Sequence, residues 1–482
     1  YHFYRYAISI PQTSRAQDVT YTVGARPYTF TVPAYDEVWR WAFFSCNGFS
    51  NDIAMEDRDT VYGGDQVLWT DVLQRHAARP YHLMVGGGDQ LYCDDVFVDA
   101  PTVKVWNELS TMEEKHAHEV TDEMVEEVEH YYFNNYLRFF GNGKFAEAMK
   151  IIPYTYGIDD HDIFDGFGSY PEALRLCAVI QRIGDIATRF YLLFQQHTTQ
   201  HHAENHNFFG EVPRCYLSLM GPHTALLVPD GRCERTESTI ISKETYDAIF
   251  ARLNDMPSSV RHLIVVLGVP IVYPRLTMVE NTLDTISDLQ DTSIFSSITD
   301  VLRRTGLVGQ LVNNFGQPEL LDDLTDHWTA DCHLDERKTF IERLQMISRE
   351  RSVRVTFIAG DVHCCGAGYL HSKPTADVAP EADFRHMAQI TSSGIVNAPP
   401  PASVISALHY SATTYEFDQD TVEDMYELFE QDVSGQPLEQ KKLLNRRNWC
   451  SVVDDGRGGL DFTINVEREE HDGSVGYTVN VP

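Results

Sequence analysis

Apolar and polar residues alternate with the two-residue period of a strand near the start of the chain, and follow helical spacing further along. In the first fifty residues the pattern predicts four short strands, in the segments YHFYRYAISI, VTYTV, YTFTV and WRWAFF. Apolar residues recur at helical spacing in four later segments, residues 67–78, 171–196, 243–253 and 335–351. Between them lie short apolar runs that predict strands, at residues 81–85, 151–158, 214–220, 224–230, 262–270 and 353–361.

This order of strands and helices is typical of a mixed α/β domain. We therefore predict one large α/β domain over residues 39–482, preceded by a small β-rich segment over residues 1–38. A further helix is predicted at residues 287–306. In the tail the pattern predicts an acidic helix and two strands, at residues 421–431, 460–466 and 477–481.

The chain is strongly acidic: 71 Asp and Glu residues against 38 Lys and Arg give a net charge of −33 with His neutral. This charge argues against non-specific binding of nucleic acid or of an anionic membrane, so we expect no nucleic-acid-binding surface. It does not argue against an anionic substrate. At physiological salt, screening limits the electrostatic effect of exposed acids to a Debye length of roughly 8 Å. Inside a site, a bound cation is the largest local charge.

The nine cysteines follow no disulfide pattern, and the chain contains neither a CxxC motif nor an Asn-x-Ser/Thr sequon. These features favour a reducing, cytoplasmic compartment. The first residue is not Met, so secretion through a cleaved signal peptide stays open. No window holds 18 uninterrupted apolar residues, so we predict no transmembrane helix.

Polar side chains that can bind metals recur where the predicted strands stop. They are Cys46, Asp89, Tyr92, Asp159, Asp160, His161, Asp361 and His363. In open α/β sheets, ligands bind beyond the carboxyl ends of the strands, on loops that a rigid sheet holds in place. We therefore expect these side chains to converge on one site.

The types of side chain indicate a metal cluster. Carboxylate, imidazole, phenolate and thiolate together suit a Lewis-acidic transition metal, and the additional carboxylates suit a hard cation such as Ca²⁺ or Mg²⁺. Two of the candidate ligands have a simpler alternative role. Cys46 can be a small buried apolar residue, and Tyr92 can be an aromatic packing residue. An EF-hand calcium loop at 160–166 is excluded because Phe164 and Asp165 stand where that loop needs Asn or Asp and then Gly.

Seven segments form an ordered series between about residue 39 and residue 450: SCNGFSND, GGGDQLYCDD, IDDHDIFDGFGSYP, LLVPDGRCERT, DHWTADCHLDER, AGDVHCCGAG and NRRNWCS. Together they resemble the PhoD-like (alkaline phosphatase D-like) metallophosphatases, in particular the long fungal-type branch. The Ser-Cys pair resembles the strand-end pair that this family has where other metallophosphoesterases have Asp-x-His. The other segments are similar to the family's Gly-Asp-x-x-Tyr, Asp-Asp-His-Asp/Glu, Asp-x-Arg and Gly-Asp-Val-His blocks and to further blocks of the branch.

The resemblance implies a metallophosphoesterase-type four-layer αββα sandwich behind the β-rich N-terminal segment. It also implies iron (Fe³⁺) bound by thiolate and phenolate alongside carboxylates, with calcium or another divalent cation nearby. By position, the resemblance assigns iron to Cys46, Asp89, Tyr92 and Asp361. It assigns the remaining ligands as Asp89, Asp160, His363 and Asp159, and leaves their division between the ions open. The Gly-Asn-His-Asp block and the double-His motif of the wider superfamily are absent from the sequence.

The implied activity is hydrolysis of a phosphate ester, either a monoester or a diester, by metal-bound hydroxide that attacks phosphorus in line. The expected substrate is a small-molecule or lipid-like phosphate ester. Two alternatives stay open: a catalytically silent relative that binds phosphate or metal, and a metallohydrolase of another ester.

Two basic side chains are candidates for catalysis. His161 is predicted to donate a proton to the leaving oxygen or a hydrogen bond to phosphate, and its alternative is to orient a metal ligand. Arg232 is predicted to hold a phosphate oxygen, and its alternative is an ion pair with Glu234 or another acid. Asp162 and Asp165 are expected to bond the backbone of their own turn.

Overall fold

The computed structural model describes residues 2–51, 53–275 and 326–482, so the helix expected at 287–306 lies outside the described residues. The strands are β1 Gln17–Val23, β2 Arg26–Val32, β3 Trp41–Phe44, β4 Leu83–Gly86, β5 Tyr154–Tyr156, β6 Phe208–Phe209, β7 Cys215–Met220, β8 Thr224–Val228, β9 His262–Leu267, β10 Arg354–Ala359, β11 Cys365–Ser372, β12 Met387–Ser392, β13 Tyr415–Glu416, β14 Thr421–Met425, β15 Leu443–Leu444, β16 Asn448–Asp454, β17 Leu460–Glu467 and β18 Ser474–Val481.

The α-helices of the described part of the chain span Met55–Thr60, Val67–Ala78, Val96–Asp99, Pro101–Asn107, Met112–Ala117, Asp122–Gly141, Gly143–Ile151, Glu172–Arg175, Ala178–Phe194, Lys243–Asn254, Leu334–Arg351 and Ala402–Ser411. Short 3₁₀ helices lie at Asp160–Asp162, Gln200–His202, Glu204–His206, Asp331–His333 and Pro374–Ala376. Within the described ranges, no helix combines the length and the hydrophobicity that crossing a membrane requires.

The first sheet has the strand order β18-β17-β16-β3-β4-β5. Its strands β3, β4 and β5 are parallel, with Trp41 opposite Leu83 and Met84 opposite Tyr154. The strands β16, β17 and β18 are antiparallel to their neighbours. Three parallel strands therefore end at the same edge of this sheet.

The second sheet has the order β13-β14-β11-β12-β10-β9-β8-β7-β6, with β15 beside β11. Its central strands β8, β9, β10 and β12 are parallel, with His262 opposite both Thr224 and Arg354, and Thr356 opposite Ala388. The outer strands are antiparallel. The second sheet therefore also has one edge where several parallel strands end.

Alternate side chains of β3 show how the two sheets pack. Trp41 and Phe43 point into a core that the first sheet shares with the second, whereas Phe44 packs against the helices Val67–Ala78 and Gly143–Ile151. The outer face of the second sheet is covered by two other helices, Lys243–Asn254 and Leu334–Arg351. The expected α/β class and the four-layer αββα sandwich are confirmed.

A separate apolar cluster supports the loops that follow β4 and β5. It is built around the helices Asp122–Gly141 and Ala178–Phe194, whose buried side chains pack against Leu91 and Phe164. Both of those residues are fully buried. Since they flank the loops after two parallel strands, this cluster limits how far those loops can move.

The N-terminal segment contains one hairpin, in which β1 pairs with β2. The Tyr21 hydroxyl donates to the Lys150 carbonyl oxygen at 2.7 Å, which ties the hairpin to a helix of the sandwich. The prediction of a strand in YHFYRYAISI is wrong, because residues 2–10 have no strand pairing. The alternating pattern of this segment comes from Phe3, which packs against Phe133 and Phe194, and from exposed tyrosines.

The prediction of an acidic helix at residues 421–431 is also wrong. The first residues of this segment form β14, which pairs with β11 so that Thr421 lies opposite Ser372. Glu423 is buried on this strand and forms ion pairs with Arg275 and Arg337. The acids in this segment favoured a helix, but pairing with the sheet and with buried arginines outweighs that local preference.

Candidate metal centre

The carboxyl ends of parallel strands from both sheets meet at one place, and the polar residues predicted for the site follow them. Cys46 follows β3, Asp89 and Tyr92 follow β4, and Asp159, Asp160 and His161 follow β5. From the second sheet, Arg232 follows β8, and Asp361 and His363 follow β10. The structure brings all nine residues predicted for the site together.

Four of these residues have backbone conformations that side chains usually avoid. Their φ angles are 51° for Cys46, 54° for Asp89, 69° for Asp361 and 49° for His363. Left-handed conformations cost free energy for residues other than glycine, and they concentrate at functional sites. The backbone therefore turns sharply at each strand end in order to aim these side chains.

Two glycines allow the loops to approach each other. A Cβ atom at Gly88, where φ is 120°, would lie 2.3 Å from the Asp159 Cβ atom. A Cβ atom at Gly268 would lie 2.4 Å from Asp159 Oδ2. Any other residue at these positions would push Asp159 out of the cluster.

Cys46 lies at the centre of the cluster and is fully buried. Its sulfur is 3.5 Å from Asp89 Oδ2 and 3.2 Å from the Ser393 hydroxyl. Burial, with a smaller contribution from Asp361, raises the pKa of the Cys46 thiol to about 11. Without a cation the sulfur is therefore held as a thiol beside a carboxylate.

Tyr92 and His363 meet on another side of the cluster. The Tyr92 hydroxyl lies 3.4 Å from His363 Nε2, and the Asn397 amide donates to that hydroxyl at 2.8 Å. Burial lowers the pKa of His363 to about 4, and the neighbouring His161 adds to this effect. His363 is therefore a neutral imidazole, the form that can bind a metal.

Two sets of three side chains have ligand atoms within 4.8 Å of one another: Asp89, Asp160 and His161, and Asp159, Asp160 and Asp361. Among the described residues, Oδ1 of Asp89 and Oδ1 of Asp160 are buried and accept no hydrogen bond, although Asp160 Oδ1 lies within ion-pair distance of Arg232. Burying a carboxylate oxygen without a partner costs free energy. A cation would satisfy both oxygens, so the residues present fit a metal.

The pKa values of the cluster support the same conclusion. Burial, together with Cys46 and Asp160, raises the pKa of Asp89 well above its usual range. Burial, together with Asp159 and Asp326, does the same for Asp361. Negative charge is therefore concentrated here beyond what the protein's own cations neutralise, and a bound metal ion would relieve it.

Asp162 connects the loop after β4 to the loop after β5 by hydrogen bonds. The backbone N–H groups of Asp89 and Asp159 each donate to its Oδ2 at 3.0 Å. The backbone N–H of Gln90 donates to its Oδ1 at 3.1 Å, and the Gln195 amide donates to the same oxygen at 2.9 Å. Asp162 does not face the metal cluster but fixes the backbone of the residues that form it, including Asp89 in another loop.

His161 is held by Asp94. Its Nδ1 lies 3.0 Å and 2.9 Å from the two carboxylate oxygens of Asp94, and its ring lies 4.2 Å from the Tyr92 ring, centroid to centroid. Burial lowers the pKa of His161, but Asp94 and Asp160 outweigh burial and raise this pKa well above its ordinary value. The Nε2 atom at the other end of the ring lies 3.9 Å from Asp165 Oδ1.

Arg232 is buried beside the acids rather than exposed as a surface ion pair. Its Nε donates to Asp159, and its two Nη atoms donate to Asp326 at 2.6 and 2.7 Å. Nη2 also lies 3.3 Å from Asp160 Oδ1 and 4.0 Å from Asp361 Oδ1. The alternative ion pair is therefore formed with other acids, Asp159 and Asp326. It is not formed with Glu234, whose carboxylate accepts hydrogen bonds from the backbone N–H groups at 212 and 242.

The chain matches a family model described as PhoD related phosphatase over residues 11–294 and 290–475. It therefore belongs to the PhoD-related phosphatase family. The uncharacterized protein YGR266W of Saccharomyces cerevisiae (strain ATCC 204508 / S288c) is 31% identical over 506 residues, which cover 94% of this chain and 70% of the yeast protein. The resemblance inferred from the sequence is confirmed.

Two solved structures are similar at low sequence identity. A structure of PhoD aligns with a TM-score of 0.48 and 11% identity, over 97% of this chain and 77% of the PhoD chain. A structure of purple acid phosphatase PPD1 from seeds of yellow lupin (Lupinus luteus) aligns with a TM-score of 0.43 and 11% identity, over 94% of this chain and 56% of the other.

In this PhoD-related phosphatase, sequence reasoning missed four polar residues that contact the site: Asp94, Asp326, Ser393 and Asn397. Asp94 was detectable, because it stands two residues after Tyr92 in the GGGDQLYCDD segment. Ser393 and Asn397 follow β12, a parallel strand that the pattern did not reveal. Had that strand been predicted, both residues would have been expected at the site.

Proposed function

We propose that the protein is a metal-dependent hydrolase of phosphate esters. The observation that carries this proposal is the buried cluster in which a thiol, a phenol, an imidazole and several carboxylates meet, and in which two carboxylate oxygens accept no hydrogen bond from the described residues. A bound cation would stabilise buried carboxylates that lie this close together. The family of the chain favours a phosphate ester as the substrate.

Two metal positions are proposed within the cluster. Iron (Fe³⁺) would be held by Cys46, Asp89, Tyr92 and Asp361. Calcium or another divalent cation would be held by Asp89, Asp160, His363 and Asp159. When bound, such cations polarise a phosphoryl oxygen and lower the pKa of water so that a nucleophile is available at neutral pH.

His161 is proposed to donate the proton that the leaving oxygen needs. Asp94 accepts a hydrogen bond from Nδ1, which leaves the Nε2 proton available and fixes the plane of the ring. An imidazole held in a fixed orientation by a carboxylate is suited to general acid catalysis. Asp94 in turn acts as a positioning residue for His161.

Arg232 is proposed to bind a phosphate oxygen through Nη2. Asp326 accepts one hydrogen bond from each Nη atom and so fixes the plane of the guanidinium. The face of Nη2 toward Asp160 and Asp361 is where a phosphate held by the metals would lie. The same guanidinium neutralises Asp159 while the site is free of substrate.

The test is hydrolysis of p-nitrophenyl phosphate and bis(p-nitrophenyl) phosphate, a monoester and a diester, by the purified protein with its metal content measured. The variants Asp89→Asn and Asp160→Asn should lose metal and turnover together. The matched control Asp247→Asn replaces an exposed acid on the helix Lys243–Asn254 and should keep both. Turnover of neither ester by the metal-loaded protein would favour a silent relative and contradict the proposal.

A further inference from the structure

A cavity of about 300 Å³ adjoins the metal cluster. Tyr92 and Asp94 belong to both: each lines the cavity, Tyr92 also contacts His363, and Asp94 also holds His161. The cavity is within the size range of small-molecule pockets. It is therefore placed to receive a part of the substrate that extends beyond the phosphate.

Aromatic rings form much of the wall of this cavity. Phe49, Trp69, Phe139 and Phe145 line it together with Tyr92. A Cβ atom at Gly48 would lie 2.6 Å from the Tyr92 ring and 3.1 Å from the Phe139 ring, so the bare backbone packs between the two rings. Trp69 and Phe145 are almost fully buried, whereas Phe49 and Phe139 are half-buried, so these two rings are the ones that a flat ligand can contact.

Acidic side chains outnumber basic ones in the wall by one. Arg58 and Arg138 face the cavity together with Asp65, Asp94 and Asp95. The Arg58 guanidinium carbon lies 5.6 Å from the centroid of the Phe49 ring, and the Arg138 guanidinium carbon lies 4.9 Å from that of its neighbour Phe139. The cavity has no surplus of positive charge for a second phosphate, but it offers rings and guanidinium planes on which a base can stack.

Two residues of the cavity wall contact proposed site residues: Tyr92 lies beside His363, and Asp94 binds His161 Nδ1. A phosphate monoester has one organic group, and that group departs with the leaving oxygen. In a monoester whose phosphate lies at the cluster, this group is therefore the part of the substrate that can extend into the adjoining cavity.

We propose that the cavity binds a planar heteroaromatic leaving group, so that the substrate class is a nucleoside monophosphate. This inference rests on the proposed function. Water adds its oxygen to phosphorus and gives up a proton, the phosphorus–oxygen ester bond breaks, and the leaving oxygen takes the proton of His161. The products are inorganic phosphate and a neutral nucleoside.

The test compares kcat/KM for adenosine 5′-monophosphate and for ribose 5-phosphate. Both release a primary alcohol at the same position, so the difference between them reports the base alone. The wild-type protein should prefer the nucleotide by about tenfold or more, the scale on which a base stacked on an aromatic side chain contributes. Phe139→Leu and, as a second variant, Phe49→Leu should each reduce this preference several-fold.

A matched control is Phe133→Leu, which removes a ring from the same helix but packs against Phe3 and Phe194, away from the cavity. It should keep the wild-type preference. Calorimetry with adenosine provides a readout besides turnover: the wild-type protein should bind adenosine several-fold more tightly than Phe139→Leu. Equal kcat/KM for the two esters, or adenosine binding unaffected by Phe139→Leu, would overturn the inference. If p-nitrophenyl phosphate is hydrolysed in the same experiment, the proposed function survives that failure.

Discussion

Replacing Asp162 with Asn should loosen the centre without removing any proposed ligand. The carboxylate of Asp162 is fully buried and accepts hydrogen bonds on both oxygens. An Asn side chain has almost the same size, but it presents an NH₂ group in place of one oxygen. Whichever way the amide turns, that NH₂ group faces two of the N–H donors that the carboxylate oxygens accept from in the wild-type protein.

The size of the expected stability loss follows from the hydrogen bonds that each carboxylate oxygen of Asp162 accepts. Oδ1 accepts from the Gln90 backbone and the Gln195 amide, and Oδ2 accepts from the Asp89 and Asp159 backbones. The substitution therefore removes at least two hydrogen bonds and leaves two buried N–H donors without that acceptor. At about 1–3 kcal/mol for each unsatisfied buried donor, with relaxation recovering part of the loss, we expect the free energy of unfolding to fall by about 3–5 kcal/mol.

The assay is urea denaturation of the Asp162→Asn variant and the wild-type protein, together with metal content after dialysis. The variant should unfold at lower urea and retain less metal, because Asp89 and Asp159 lose their common support. Asp165→Asn is the control: its side chain is 30% exposed and lies 3.9 Å from His161 Nε2, so we expect a loss of about 1 kcal/mol or less. A loss below about 1 kcal/mol for Asp162→Asn, with normal metal content, would refute the reasoning.

Three further predictions concern colour, proton transfer and pH. Ferric iron bound by Cys46 and Tyr92 should give a visible charge-transfer band that Tyr92→Phe shifts or abolishes, and a colourless iron-loaded wild-type protein would exclude this ligand set. His161→Ala should keep its metal but lose roughly 10²-fold in turnover, with a smaller loss for p-nitrophenyl phosphate than for an alkyl ester, and equal losses would exclude a proton donor. Burial lowers the pKa of His76 to about 4, and its Nδ1 accepts the Tyr81 backbone N–H at 3.0 Å. The folded state therefore resists protonation, so stability from this group is present above about pH 6.5 and is lost as the pH falls toward 4, by about 2 kcal/mol after a discount for partial burial. His76→Gln should flatten that part of the stability profile measured by urea denaturation, and an unchanged slope would contradict the assignment.

The sequence was sufficient to predict strands and site residues where one physical rule determines the local structure. A buried strand needs a continuous apolar run, and a loop beyond its carboxyl end can carry polar ligands, so Asp89 and Asp361 were placed correctly beside the strands. The same rules failed where partners lie far apart in the chain. Glu423 is acidic and local propensity favours a helix around it, but its arginine partners come from residues 275 and 337.

The remaining contacts of the site depend on the assembled fold for the same reason. Asp326 reaches Arg232 across 94 residues, and Asn397 reaches Tyr92 across 305. Nothing in the local sequence around Asp326 or Asn397 indicates such a partner, because the contact exists only after both sheets have formed. Likewise, Asp162 was expected to serve its own turn, and its bonds to the loop after β4 follow from the parallel pairing of β4 with β5.

The central claim is that the cluster at the strand ends holds the metals on which hydrolysis depends. The most direct measurement is the rate of p-nitrophenyl phosphate hydrolysis by the purified protein before chelation, after chelation, and after iron and calcium are returned, with metal content measured at each step. The proposed function predicts that activity disappears with the metals, returns with them in proportion to occupancy, and does not return in Asp89→Asn. Full activity in the metal-free protein, or restored activity in Asp89→Asn, would contradict it.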